Sequence, residues 1–117
     1  MEENKQELSR EERIRKEERR LKGVFRGIDP NRRKVVDSLI QNAAFMTVAL
    51  EDLQEEIIRD GYTVEYQNGE NQRGTKQSDA VKTYNTMVKN HATVIRQLEE
   101  LAPETKKGSK LDAFRKG

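Results

Sequence analysis

From Asp29 onward, hydrophobic positions recur at helical spacing. Val36, Leu39, Ala43, Met46, Leu50, Leu53 and Ile57 are separated alternately by three and four residues. That 3.5-residue repeat is a seam for packing against another helix. Asp29-Pro30 is a strong start signal: Asp caps orphan amides, and Pro supplies the first helical φ where no N–H is needed. Gly61 supplies the stop. Val35, Phe45, Val48, Ala49 and Ile58 widen the apolar face beyond one seam, which predicts more than one neighbour. A second helix, capped by Ser78 or Asp79 and ending before Pro103, repeats the spacing through Val81, Tyr84, Val88, His91, Ile95, Leu98 and Ala102.

Between the two helices the period changes. Tyr62, Val64 and Tyr66 alternate with Thr63 and Glu65, a strand pattern, and Asn68-Gly69 is a favoured two-residue hairpin turn. The return segment from Glu70 to Gln77 has no apolar residue. The expectation is a short β-hairpin or extended connector over 62–77, at the tip of a long antiparallel helical hairpin spanning 29–102. Before it, the first 22 residues carry eight basic and seven acidic side chains around Leu8, Ile14 and Leu21. They predict a charged helix starting near Leu8, with Ser9 and Glu12 as a capping box, interrupted by Gly23 and Gly27. Its polarity all round predicts a helix that is solvated or lies against something charged. The tail 103–117 holds five basic and two acidic residues and is expected to be flexible.

Composition sharpens this picture. Only 32% of the 117 residues are hydrophobic, 38% are charged, and 28 of the 38 hydrophobic residues lie between Asp29 and Ala102. Two such helices cannot enclose a core alone, so self-association is expected to cover the spare apolar flank. The oligomerisation seam would be Val36, Leu39, Met46, Leu50, Leu53, Ile57, Val81, Tyr84, Val88, Ile95 and Leu98. The fold class is mainly α, with a charged N-terminal segment over 1–28 and a ring-forming oligomer. No apolar run approaches the ~18 residues that span a bilayer, and the N-terminus lacks a signal-peptide core, so no membrane partner and a cytoplasmic location are expected.

Catalytic chemistry has few carriers. The chain has no Cys and one His, His91, which sits on the apolar seam and reads as a half-buried packing residue rather than a metal ligand. Glu51, Asp52, Glu55 and Glu56 read as a solvated face rather than paired acid–base carboxylates. No Gly-rich phosphate loop or nucleophile–base set is present, so no enzyme activity, cofactor or metal is expected. The basic cluster of Arg13, Arg15, Lys16, Arg19, Arg20 and Lys22, extended by Arg26, Arg32, Arg33 and Lys34, is the candidate DNA-binding set. Such groups bind phosphates by charge and counterion release, and multiplying them around an oligomer makes weak contacts additive. Pairing with Glu11, Glu12, Glu17 and Glu18 in a solvated helix is the competing reading.

One stretch carries more than periodicity. From Leu50 to Pro103 the chain combines an acidic-to-Gly helix end with a connector bearing Val64, Tyr66, Asn68, Gly69, Asn71, Gln72, Gly74, Lys76 and Ser78. A helix with Tyr84, Lys89, Leu98, Leu101 and Pro103 follows. This combination resembles the small subunit of bacteriophage terminases. The resemblance implies a non-catalytic ring of more than four copies in the host cytoplasm, which recognises double-stranded viral DNA at the start of genome packaging. It also implies recruitment and regulation of the large ATPase–nuclease subunit. No clear helix-turn-helix accompanies it. A helical DNA-binding transcriptional regulator and a coiled-coil scaffold or adaptor share the helical seams and remain alternatives.

Overall fold

A computed structural model describes residues 8–102, so the tail 103–117 lies outside the described residues. The chain forms helix α1 (Arg10–Val24), one 3-10 turn (Pro30–Arg32), helix α2 (Arg33–Asp60), strands β1 (Thr63–Gln67) and β2 (Arg73–Gln77), and helix α3 (Asp79–Leu101). The molecule is elongated, with principal extents of 63 × 36 × 26 Å. α2 is the spine: α3 returns antiparallel along one side of it, and α1 packs along another.

The start and stop signals act as their chemistry requires. The Ser9 hydroxyl accepts from the Glu12 amide at 3.1 Å while the Glu12 carboxylate accepts from the Ser9 amide at 2.8 Å, closing the capping box. Asp29 accepts from the Asn31 amide at 3.0 Å, and the restart begins as the 3-10 turn before α2 proper. Gly61 ends α2 at φ +88°, with its N–H returned to the Ile57 carbonyl. Ser78 caps α3 by accepting from the Val81 amide.

Two local expectations are corrected. Gly23 does not interrupt α1, which continues to Val24. A mid-helix glycine costs only about 1 kcal/mol relative to Ala, and buried Leu21 and Phe25 on either side hold the backbone in place. The break comes later, at Gly27, with φ +84°. The Asn68-Gly69 pair does not form a two-residue turn either. β1 and β2 pair Tyr66 with Gly74 and Gln67 with Arg73, leaving a five-residue loop, 68–72, closed by the Asn68 amide on the Gln72 carbonyl. The Tyr66 ring lies across Gly74 so closely that a Cβ there would sit 2.9 Å from the phenolic oxygen. Glycine opposite tyrosine therefore fixes a register in which the ring covers bare backbone.

The core lies at the base of the helical hairpin, away from the β-strands. Val36, Ile40, Ala43 and Ala44 of α2 meet Leu98 and Ala102 at the end of α3. Leu21, Phe25 and Ile28, from α1 and the turn after it, close the third side and are at most 4% exposed. Of the segment 1–28, the described part from Ile14 to Ile28 is thus packed into the same core as 29–102, and the boundary at residue 28 is no break in packing. Ile14, Leu21 and the capping residue Phe25, spaced by seven and four, give this polar helix its one apolar line, and Ile28 joins the core from the turn beyond it.

Candidate nucleic-acid interface

α1 is held by charge as well as by apolar contact. Arg13 donates through two nitrogens, to Asp52 at 2.7 Å and to Glu51 at 2.7 Å, and Arg10 reaches Asp52 at 3.0 Å. Partial burial pushes the Asp52 carboxyl upward, but the hydrogen bonds and charges of Arg13 and Arg10 outweigh it and leave the group below its ordinary range. Its hydrogen bonds to Asp52 and Glu51 raise the Arg13 guanidinium further, so this clasp stays charged at neutral pH. Arg13 therefore does not belong with the outward-facing cations. Glu51 and Asp52 are correspondingly more than a solvated face: they receive the N-terminal half of α1.

The remaining basic residues separate into classes. Arg20 is bound to Glu17 one turn earlier, through two nitrogens. Arg26 turns its Nε onto the Gly23 carbonyl at 3.1 Å, satisfying an acceptor at the helix end. Arg15, Arg19 and Lys22 lie along one line of α1, four and three residues apart, on the side opposite buried Leu21. They are exposed and form no ion pair among the described residues. Lys16 flanks this line, and Arg32, Arg33 and Lys34, in the 3-10 turn and the first turn of α2, are also exposed. The segment from Arg10 to Val36 carries eleven basic and five acidic residues, whereas the tip segment 51–82 carries four basic and eight acidic. The molecule is thus electrically polar along its long axis, with the cations on α1 and the base and the anions toward the tip.

The seam residues also divide. Val36 and Leu98 are fully covered within one chain, so they belong to its own core and not to a surface that a second copy reaches. Leu39, Met46, Leu50, Leu53, Ile57, Val81, Tyr84 and Ile95 are half-buried along the α2–α3 contact, and Val88 is exposed. The Gln54 amide donates to the Tyr84 hydroxyl at 2.9 Å near the tip. Apolar surface also remains open between the three helices, where Phe45 is 54% exposed beside a groove of about 330 Å³ lined by Ile14 of α1, Ala49 and Leu53 of α2 and Met87 of α3.

His91 is half-buried on the seam, as its position predicts, with Nε2 3.1 Å from the Thr47 hydroxyl. Burial lowers its pKa from the ordinary 6.5, opposed by the charge of Glu17. The unfolded chain then takes up this proton at a higher pH than the folded one. The stability contributed by neutral His91 is present above about pH 6.5 and is lost as pH falls through the lower folded value. Thermal midpoints at pH 7.5 and pH 5 are expected to differ more for the native chain than for His91→Gln.

Among the described residues no group of His, Asp or Glu could hold a metal ion, and no helix is long and apolar enough to cross a membrane. The connector residues that carry the terminase resemblance have local structural duties: Gly69 takes φ +83° in the loop, Tyr66 covers Gly74, and Ser78 caps α3. Compared with known protein families, curated proteins and solved structures, the chain matches none.

Proposed function

We propose that this chain is the small, non-catalytic subunit of a phage terminase, which assembles as a ring of more than four copies and presents double-stranded DNA to a large ATPase–nuclease subunit. The observation that carries the DNA-binding part is the line of Arg15, Arg19 and Lys22, exposed and without ion pairs among the described residues, together with exposed Arg32, Arg33 and Lys34. Its absence of interleaved aromatic residues suits contact with phosphates rather than stacking on bases. The open apolar face of α2 and the exposed hairpin support self-association, and the connector supports the terminase assignment.

Neutralising several phosphates per assembly makes affinity fall steeply with ionic strength, by a log–log slope of about −0.9 per contact on duplex DNA. Titration of a linear duplex at 50 and 200 mM salt tests this reading. It predicts binding at the lower salt that weakens by at least about 100-fold at the higher. Absence of binding at 50 mM would contradict it and favour a scaffold.

A further inference from the structure

The β-hairpin projects from the helices with almost no cover: all ten strand residues except Gly74 are exposed. A two-stranded ribbon in this state is marginal by itself, and each edge offers unpaired backbone groups to another strand. The hydrogen bonds at its two ends fix which groups those are. The Ser78 amide donates to Tyr62 and the Asn68 amide to Gln72. In the register observed, even-numbered pairs therefore exchange the internal bonds, and odd-numbered residues direct N–H and C=O outward. Thr63, Glu65 and Gln67 form one open edge, and Arg73, Thr75 and Gln77 form the other.

The two edges differ in charge. Glu65 is the only residue of β1 charged at neutral pH, while β2 carries Arg73 and Lys76. Glu65 and Arg73 project from the same face of the ribbon, yet they form no ion pair with each other or with any described residue. We propose that the β1 edge of one copy pairs antiparallel with the β2 edge of the next, placing Glu65 beside Arg73 of its neighbour. Like edges would oppose like charges, so the contact is head-to-tail, the kind that closes into a ring. Because both open edges consist of odd-numbered residues, the added strand keeps its parity. Tyr62, Val64 and Tyr66 of every copy then lie on one side of a continuous sheet. That shared side shields the apolar surface the single chain leaves bare: Tyr62 is 74% exposed and Tyr66 41%.

This inference rests on the reading that copies assemble, and charge exchange tests it separately. Glu65→Arg gives two basic edges and Arg73→Glu two acidic ones. Each variant alone is expected to shift by native mass to smaller species, with at least 10-fold weaker association. An equal mixture is expected to regain the native size, with the two variants alternating. Backbone amide exchange on the native chain supplies a measurement independent of any variant: outward amides of Glu65 and Thr75 should be protected in the assembly and exchange freely on dilution to single chains. If the native chain assembles but both variants keep its size and those amides stay unprotected, the hairpin contact is wrong while assembly stands. A native chain that is monomeric at micromolar concentration removes both.

Discussion

Leu98→Glu is expected to abolish the folded state at 25 °C. Leu98 has no exposed surface and sits where the end of α3 meets Val36 and Ile40 of α2 and Leu21 and Phe25 near the end of α1. Truncation to alanine there removes packing and leaves a cavity, at a cost of about 2–5 kcal/mol. A carboxylate adds desolvation without a partner. Proteins of this size hold only about 5–15 kcal/mol of net stability, and this core is confined to one end of an elongated chain. Urea unfolding followed by far-ultraviolet circular dichroism should show Leu98→Ala shifted strongly to lower denaturant and Leu98→Glu unfolded without any. Phe45→Ser, on the open face of α2, should leave the transition nearly in place. Equal losses at both positions would mean that Leu98 is not core.

The second large effect concerns the outward cations. Replacing Arg15, Arg19 and Lys22 together with alanine leaves α1 intact, since alanine is the best helix former and none of the three is in an ion pair among the described residues. DNA affinity at about 0.1 M salt is expected to fall at least 100-fold, with the salt slope reduced by about 0.9 for each lost phosphate contact. Arg13→Ala is the contrasting variant. It breaks the contacts to Asp52 and Glu51 and loosens the N-terminal half of α1, but its guanidinium is already committed, so the salt slope should change little. Filter binding across a salt series separates the two. If the triple variant binds with native affinity and slope, the line on α1 is only a solvated surface.

These expectations depend on features that sequence and structure reveal unequally. The ends of the helices were legible because each is set by residues within four positions of one another: Ser9 with Glu12, Asp29 with Pro30, Ser78 with Val81, and Gly61 after Ile57. The seams of α2 and α3 were legible for the same reason, since 3-4 spacing is a local property. What pairs with what across the fold was not. Arg13 and Asp52 are 39 residues apart, and neither charge run announces which residue finds the other. Reading 1–28 as a separate segment followed from its polarity; the line of Ile14, Leu21 and Phe25 was visible but sparse. Likewise Asn68-Gly69 suggested the tightest turn, while the register is set by Tyr66 against Gly74 on the facing strand.

The half-buried seam residues have a consequence for assembly. Within one chain the three helices leave Val36 and Leu98 no exposed surface, so neither is available to a second copy. In the proposed ring the contact between copies would use what stays open after folding: Val35, Phe45 and Ile58 on α2, Val88 on α3, and the hairpin with Tyr62, Val64 and Tyr66. Native mass measurement of the full chain at micromolar concentration tests most directly whether that surface joins copies into a cation-bearing ring. The account predicts a single assembly of more than four copies; a monomer or dimer that persists across the concentration range would contradict it.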